Sequence, residues 1–281
     1  MPEKQEQLEW EARAGRVAAV GAFLAAIAPI ASAVALNAML PSRLDTDAEH
    51  VKALADHSGA FWAGAVIASA GSLAFILPLL YLLRASRNRI DAPRWIDPLI
   101  VIGPVLLLLA GLLGLADLIS RAQDALPVTE KQAEDVIRHA APGVVGLTAA
   151  GSLAAGVGII MTATYGGRAG LLSRFMSVMG IIVGALMLVG FLLGAASLGG
   201  PIIVFWGIAL GMLFLGRWPG GRGPAWETGE AIPWPSAQER YAPAQEEDEA
   251  GEPEPEPEPE PARSQPNPNA SRKRRKKKAR R

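Results

Sequence analysis

Six apolar runs occupy most of the first 216 positions of this 281-residue chain. They extend over residues 17–40, 60–83, 98–120, 143–165, 175–198 and 200–216. The hydrocarbon core of a bilayer is about 30 Å thick, and an α-helix rising about 1.5 Å per residue crosses it in about 20 residues. Five of the runs meet that length, and the sixth reaches it only with its flanking glycines and Trp218. The pattern therefore predicts an all-α fold class, a polytopic transmembrane bundle of six helices.

The basic residues between these runs predict the orientation of the bundle. With a cytoplasmic N-terminus, the segments on the cytoplasmic side hold eleven Lys and Arg residues, against five on the other side. The cytoplasmic set is Lys4, Arg13, Arg16, Arg84, Arg87, Arg89, Arg94, Arg168, Arg174, Arg217 and Arg222. Because cytoplasmic loops of membrane proteins carry the excess of positive charge, we expect both termini in the cytoplasm. Residues 1–16 are then a short cytoplasmic segment.

The first run contains Ala31-Ser32-Ala33, which resembles a signal-peptidase site. Cleavage there would leave five spans with the C-terminus still in the cytoplasm. A retained helix is favoured, because the apolar run continues past this site and an acidic stretch precedes it. Proline interrupts the hydrogen bonding of a helix, so Pro29, Pro78 and Pro104 predict kinks in the first three spans.

Two of the outer loops carry signals for the start of a helix. Thr46 and Glu49 have the spacing of a capping box, and Thr129 and Gln132 repeat it. Apolar residues follow each start at helical spacing. We therefore expect two short amphipathic helices lying on the outer surface of the bundle.

Ionisable side chains are nearly absent from the predicted spans. Asp117 lies one turn from the outer end of the third run, and Arg121 follows four residues later on the same helix face. We interpret the two as an interfacial ion pair; the alternative, a proton or ion relay, would make them relevant to transport. The sequence indicates no catalytic residue and no cofactor site.

The three histidines, His50, His57 and His139, all lie in the predicted outer loops near carboxylates. Imidazoles and carboxylates together can bind a transition metal or sense external pH. Their spacing matches no zinc signature, so they are weak metal candidates and solvated surface positions are the favoured interpretation. The chain has no cysteine, which excludes disulfides, thiolate metal sites and a cysteine nucleophile.

Small and weakly polar residues predict how the spans contact each other. Glycines four positions apart allow two helices to approach closely. They are Gly180, Gly184, Gly190, Gly194, Gly207 and Gly211. Packing inside the bundle is the favoured interpretation, and a homodimer seam, which would make the chain a homo-oligomer, is the alternative. Hydrogen bonds between helices are expected from Asn37, Thr148, Ser152, Thr162 and Thr164.

The composition changes after residue 218. Residues 219–281 are rich in Pro, Glu, Lys and Arg and poor in aliphatic residues, which predicts a disordered cytoplasmic tail. The net charge of zero is the sum of opposite blocks, since twelve acidic residues lie between 227 and 260 and ten basic residues between 263 and 281. Five Glu-Pro repeats at 252–261 predict an extended polyproline II strut about 30 Å long.

The chain ends in a cluster of nine cations within ten residues. These cations are Arg272, Lys273, Arg274, Arg275, Lys276, Lys277, Lys278, Arg280 and Arg281. Contact with the anionic lipid of the inner leaflet is favoured, because the bundle already holds the tail at the membrane. Contact with nucleic acid is an alternative that lacks interleaved aromatic residues for base stacking. The cluster could also fold back on the acidic block and stay solvated.

Two segments resemble known groups of membrane proteins. The segment 215–236 has the sequence LGRWPGGRGPAWETGEAIPWPS, and residues 170–176 have the sequence GLLSRFM. The first resembles uncharacterised multi-pass membrane proteins of actinobacteria, in which the last span continues into a Gly/Pro/Trp junction and a low-complexity basic tail. The second resembles domain-of-unknown-function families with a similar helix count. The resemblance implies a bacterial origin, a location in the plasma membrane and no assigned activity.

These patterns favour a non-enzymatic scaffold or regulator whose cytoplasmic tail contacts anionic lipid or acidic partners. The alternative is a small-solute or ion transporter or channel, because three plus three spans would place the two halves in opposite topology. A membrane enzyme is least favoured, since no acid/base, nucleophile or metal constellation gathers on one side.

Overall fold

The computed structural model describes residues 2–40, 44–192 and 200–235, and within these ranges the chain is all-helical. The first five helices are α1 (Pro2–Met39), α2 (Asp47–Asp56), α3 (Ser58–Ala74), α4 (Ile76–Arg87) and α5 (Ile96–Asp124). The others are α6 (Glu130–Arg138), α7 (Pro142–Arg168), α8 (Arg174–Leu192), α9 (Gly200–Phe214) and α10 (Ala225–Thr228). The predicted all-α fold class is therefore confirmed for these ranges. The Glu-Pro repeats and the basic cluster lie outside the described residues.

Four helical stretches are long and apolar enough to cross a membrane. They are Lys4–Met39, Ser58–Arg87, Ile96–Asp124 and Pro142–Arg168. The second stretch comprises α3 and α4 with Phe75 between them. Two further apolar helices are shorter, α8 with 19 residues and α9 with 15. At about 1.5 Å per residue these two reach about 28 Å and about 22 Å. Helices of this kind are those of an integral membrane protein.

Six of the helices form a closed ring. Helix α1 packs between α3 and α9, α3 contacts α5, α5 contacts α7, and α8 contacts both α7 and α9. Helix α4 continues the path of α3 and packs on α1, α5 and α7. One end of the ring carries the arginines that follow α4, end α7 and begin α8, and we call it the basic end. The opposite end is covered by α2 and α6, and we call it the capped end.

The apolar core is concentrated toward the basic end. Its largest fully buried side chains include Leu82, Ile100, Ile159, Trp206 and Phe214, which come from α4, α5, α7 and α9. A second, smaller cluster lies at the capped end, where residues of α2 and α6 pack on α3 and α5. Burial of one face of α2 and α6 holds these short helices on the bundle, since helices of about ten residues are marginal in isolation.

The predicted capping boxes are both present. The Thr46 Oγ1 accepts from the backbone N–H of Glu49 at 3.2 Å, and the Glu49 carboxylate accepts from the backbone N–H of Thr46 at 3.1 Å. At the start of α6 the backbone N–H of Thr129 donates to Gln132 Oε1 at 3.1 Å. The Glu130 carboxylate also accepts from two backbone N–H groups in the first turn of α2. These bonds tie the two short helices to each other.

The prolines have unequal effects on the helices. The break between α3 and α4 falls at Phe75, three residues before Pro78, which lacks the N–H that would bond the Ala74 carbonyl. Helices α1 and α5 continue without interruption through Pro29 and Pro104.

Residues 2–16 form the first turns of α1, which continues without a break into the first apolar run. One predicted boundary differs from the structure. The segment 219–235, predicted as the start of a disordered tail, belongs to the same compact unit as the helices, which extends to Pro235. Its tryptophans are the physical reason, since they supply apolar surface that the rest of the tail lacks.

Candidate functional site

The site is a buried ion pair at the basic end, formed by Arg89 and Glu11. Arg89 follows the last turn of α4, and Glu11 lies on the first turns of α1. Arg89 Nη1 lies 2.6 Å from Glu11 Oε1, and Nη2 lies 2.8 Å from Oε2. The two side chains are 0% and 3% exposed. Paired parallel bonds of this kind are the strongest hydrogen bonds that arginine makes with a carboxylate.

Other side chains complete the polar contacts of Glu11. Gln7 Nε2 donates to Glu11 Oε1 at 3.0 Å, and the Tyr81 hydroxyl donates to the Glu11 backbone carbonyl at 2.9 Å. Arg89 Nη1 also donates to the Ala85 carbonyl at 2.8 Å. A buried charge is tolerated only when its polar atoms are satisfied in this way. We call these groups the Glu11–Arg89 network.

The network also holds the segment that follows the last helix of the ring. Arg89 Nε and Nη2 donate to the Ala225 carbonyl at 3.1 and 2.7 Å. The guanidinium carbon of Arg89 lies 5.7 Å from the ring centroid of Trp226, a cation–π contact. A single buried side chain therefore joins α1, the end of α4 and residues 215–235. We call residues 215–235 the docking segment.

Two tryptophans fix the docking segment to the turn between α7 and α8. Trp226 Nε1 donates to the Leu171 carbonyl at 2.9 Å, and Trp234 Nε1 donates to the Gly170 carbonyl at 2.9 Å. Tyr81 stacks on Trp226 at 5.9 Å between ring centroids and contacts Phe214 edge-on at 5.0 Å. Aromatic pairs at these separations add to the stability gained from burial alone. The docking segment is thus bound by both polar and aromatic contacts.

Gly170 is required by this arrangement. Its φ of +71° is a left-handed conformation that residues with a Cβ rarely adopt. A Cβ at this position would also collide with the Ile232 carbonyl of the docking segment.

A surface ion pair adds a weaker contact between the docking segment and α1. Lys4 Nζ lies 2.5 Å from Glu230 Oε1, with both side chains more than half exposed. The hydrogen bond and the positive charge of Lys4 hold the pKa of Glu230 below its ordinary value. Because exposed pairs contribute little, the buried network carries most of the attachment.

A cavity of about 200 Å³ lies inside the ring. Every ring helix contributes to its wall, with Pro29, Ser72, Pro104, Ile159, Met187 and Ile203 among the lining residues. Of the described residues that line it, Ser72 alone has a polar side chain, and its hydroxyl donates to the Ala68 carbonyl of its own helix. The described part of the cavity wall offers hydrocarbon contact and no charged ligand for an ion.

The structure places Asp117 and Arg121 side by side near the capped end. Arg121 Nη2 lies 2.8 Å from Asp117 Oδ2, and Arg121 Nη1 donates to the Val136 carbonyl of α6 at 2.6 Å. Both side chains are about one-third exposed, at 30% and 34%. The pair therefore ties α6 to α5 at the edge of the bundle.

The three histidines are not brought together as ligands. In the described part of the chain, no group of three or more His, Asp or Glu side chains could hold a metal ion. The His50 ring packs edge-on against Phe61, and His139 Nδ1 lies 3.1 Å from Asp135 Oδ1. His57 Nδ1 is buried without a hydrogen-bond partner among the described residues.

The predicted packing glycines face neighbouring helices of the same chain. A Cβ on Gly184 would lie 2.6 Å from the Gly156 carbonyl of α7, and one on Gly180 would lie 2.6 Å from the Ala163 Cβ. On α9, Gly207 and Gly211 face α1, where a Cβ on Gly211 would meet the ring of Phe23 at 2.7 Å. Gly190 is buried, and Gly194 lies outside the described residues.

The prediction that polar side chains of the spans form hydrogen bonds between helices is wrong for four residues. Asn37, Thr148, Thr162 and Thr164 each donate to the carbonyl four residues earlier in their own helix. Such bonds satisfy the side chain without a second helix. Ser152, the fifth of these predicted residues, is buried on α7.

Other side chains make the bonds between helices. Besides the Tyr81 and Arg121 bonds described above, Ser32 donates to the Gly64 carbonyl, Ser177 to the Ala163 carbonyl and Trp206 to the Met176 carbonyl.

The sequence alone does not predict the Glu11–Arg89 network, because Arg89 is there one of several arginines in the same loop. Nothing local distinguishes it from Arg84 or Arg94, because its partners lie far away along the chain. The available signal is Trp226 and Trp234, since aromatic residues in a polar tail indicate a segment that can be buried.

Comparisons of the chain with protein-family models, curated proteins and solved structures find no match.

Proposed function

We propose that this chain is a non-enzymatic scaffold or regulator of a bacterial plasma membrane, which presents its C-terminal residues 236–281 at the cytoplasmic face. In this proposal six helices span the membrane, both termini are cytoplasmic, and the basic end of the ring faces the cytoplasm. The resemblance of residues 215–236 to the junction of actinobacterial membrane proteins supports this location.

The contact between Arg89 and the Ala225 carbonyl is the observation that carries the proposal. A tail that needed only tethering would require no more than a covalent link to α9. Here a fully buried guanidinium, two tryptophan N–H groups and an aromatic cluster attach the docking segment to the bundle. The docking segment is therefore held at a fixed position on the bundle up to Pro235, as a presenting scaffold requires.

The ring arrangement supports six spans. Helices α8 and α9 close the ring between α7 and α1, so they pack alongside two of the four longer apolar stretches. Both are at the lower end of spanning length, which local thinning of the bilayer and adjacent anchors can accommodate. Arginines at the basic end support a cytoplasmic orientation of that end.

Contact of the basic cluster with anionic lipid is tested with a reporter on the tail. A cysteine replacing Ser271 carries an environment-sensitive dye, and the full chain is placed in nanodiscs of phosphatidylglycerol or phosphatidylcholine. We expect a blue shift in phosphatidylglycerol alone that disappears at high salt, because salt screens contacts between exposed charges. Replacing the nine cations of 272–281 by Gln should abolish the shift.

The matched control replaces the five glutamates of the Glu-Pro repeats by Gln. This control removes tail charge of the opposite sign and should preserve or strengthen the shift. If the cation variant keeps the full shift, the tail does not contact lipid through this cluster. Binding of acidic protein partners, or of nucleic acid, would then be examined with the same labelled chain.

Transport is the second candidate, and the cavity inside the ring is the observation that favours it. A passage through this cavity would suit an apolar solute better than an ion, because its described wall holds no charged side chain. Purified protein in liposomes should show no ion flux if the scaffold proposal holds. A robust flux that Asp117→Asn abolishes would replace it with a transport function.

A further inference from the structure

A groove at the basic end combines two exposed arginines with an apolar floor. It has a volume of about 400 Å³ and runs between the end of α7, the start of α8 and the docking segment. Arg168 and Arg174 lie in its wall, and Leu172, Val178, Ile181 and Trp234 supply apolar surface. No carboxylate is among the described residues that line it.

We propose that this groove binds one anionic phospholipid, with the phosphate at Arg168 and Arg174 and an acyl chain along Val178 and Ile181. The inference rests on the proposed function in one respect, the orientation that places the basic end at the cytoplasmic leaflet.

The charges of the groove match a phosphate. Both arginine side chains are exposed, and neither forms an ion pair with a carboxylate of residues 2–40, 44–192 or 200–235. Two other arginines of the same end are paired with carboxylates, since Arg89 binds Glu11 and Arg87 binds Asp97 at 2.8 Å. A guanidinium presents several N–H donors in a plane and binds phosphate oxygens in pairs. Basic pockets between membrane helices on the cytoplasmic side recognise lipid head groups in this way.

The apolar part of the groove matches an acyl chain. Val178 is 53% exposed and lies one turn after Arg174 on α8, and Ile181 follows on the same helix toward the centre of the bundle. The surface therefore changes from cationic to apolar in the direction from the membrane surface to its interior. A free phosphate ion would use the arginines alone and gain nothing from this apolar floor.

Trp234 gives the groove a fixed wall. Its Nε1–H donates to the Gly170 carbonyl, and its indole packs so closely on Gly223 that a Cβ there would collide with it. Tryptophan is favoured at the boundary between head groups and hydrocarbon. Since Trp234 belongs to the docking segment, the lipid would contact the bundle and this segment together and would favour their association.

The proposal is tested by measuring lipid binding to the purified full chain in neutral detergent. The protein is titrated with phosphatidylglycerol, with phosphatidylcholine of the same acyl chains, or with inorganic phosphate. The rise of the thermal unfolding midpoint with ligand concentration gives an apparent affinity. Two double variants are compared: R168Q/R174Q, and R94Q/R217Q, which removes the same charge from exposed arginines of the same end outside the groove.

We expect phosphatidylglycerol alone to stabilise the wild-type chain and R94Q/R217Q. The apparent affinity should fall about thirtyfold in R168Q/R174Q, because two cations near an anionic head group are lost. Val178→Trp, which fills the exposed apolar part of the groove and keeps both arginines, should also weaken the binding of phosphatidylglycerol.

Equal affinities of the two double variants would overturn the proposal, since the groove arginines would then bind no head group. Stabilisation by inorganic phosphate equal to that by phosphatidylglycerol, or an unchanged affinity in Val178→Trp, would also overturn it and point to a soluble phosphate ligand. The variant in which Gln replaces the nine cations of 272–281, measured in the same titration, distinguishes failure of the groove proposal from failure of the proposed function. If that variant alone weakens binding, the tail contacts lipid and the groove does not.

Discussion

Arg89 and Glu11 form a bidentate ion pair inside the protein although 78 positions separate them in the sequence. Burial of both charges costs desolvation, and their mutual attraction repays it only with good geometry and satisfied neighbours. The pair has both, because Ala85, Ala225 and Gln7 complete its hydrogen bonds. Its main effect is therefore on which segments come together at the basic end.

Replacing one member of this pair should be more harmful than replacing both. Arg89→Met leaves the Glu11 carboxylate buried without its partner, and we expect a loss of about 3–5 kcal/mol in the free energy of unfolding. The double variant E11L/R89M should lose less than Arg89→Met, because no uncompensated charge remains. Denaturant titration in detergent measures the free energy of unfolding of the wild-type chain, Arg89→Met, Glu11→Leu and the double variant.

Arg94→Met is the matched control, since Arg94 is exposed at the same end of the bundle. It should change the free energy of unfolding by no more than about 0.5 kcal/mol. A double variant that is as unstable as the sum of its two single variants would contradict a coupled, buried pair.

Gly170→Ala should release the docking segment from the bundle. An alanine in the left-handed conformation costs about 1–2 kcal/mol, and its Cβ would collide with the Ile232 carbonyl. We expect trypsin to cleave after Arg222 faster than in the wild-type chain. Gly143→Ala is the control, because no atom outside its own helix lies near its Cβ position. In this variant the rate of trypsin cleavage after Arg222 should equal that of the wild-type chain.

Gly184→Leu distinguishes packing within one chain from a homodimer seam. Because a Cβ at this position already approaches the Gly156 carbonyl, we expect a loss of about 3 kcal/mol or more of stability. Gly111→Leu adds the same side chain to an open surface of α5 and should be tolerated. A dimer seam would give a different result. Gly184→Leu would then lower the molecular mass of the protein in detergent from that of a dimer to that of a monomer, and the stability of each chain would be unchanged.

The start of α2 should loosen in acid. The backbone N–H groups of Asp45 and Thr46 donate to the Glu49 carboxylate and hold its pKa below the ordinary value. Ionised Glu49 therefore stabilises the folded state above its ordinary pKa, and this contribution is lost as the pH falls through the lowered pKa. Hydrogen-exchange protection factors of the α2 amides should decrease over that range. In Glu49→Gln, which keeps the capping geometry without the charge, the decrease over that range should be smaller than in the wild-type chain, and what remains comes from other carboxylates such as Glu130.

The orientation can be tested directly because the chain has no cysteine. A single cysteine at Ala48, in the first turn of α2, should react with an impermeant maleimide added to intact cells. A cysteine at Ser236 should react only after the membrane is permeabilised. The opposite pattern would invert the proposed topology, and labelling of both positions from outside would require an odd number of spans.

The fold was predictable to the extent that it depends on local composition. Apolar runs give the helices, and the spacing of Thr46 and Glu49 gives the start of α2, because both signals lie within a few residues. The length of α1 was not predictable from hydropathy, since its first turns are polar and are held by Arg89 and Tyr81 from elsewhere in the chain.

The site was less predictable than the fold. Asp117 and Arg121 are four residues apart, so helical geometry alone brings them together. Arg89 meets Glu11 and Ala225 only after the ring has closed, and no periodicity encodes such distant partners. Asn37 shows the opposite error, in which a nearby carbonyl in the same helix satisfies a side chain that was expected to bond a second helix.

Ala225 is synthesised 136 residues after Arg89, so the Arg89 site waits for almost the whole bundle to leave the ribosome. Until then the guanidinium and its glutamate have no cover from the docking segment. A chain truncated before residue 225 would keep every apolar helix and still leave this polar site open. The ring of apolar helices and the buried network therefore depend on different parts of the chain, and only the network needs the docking segment.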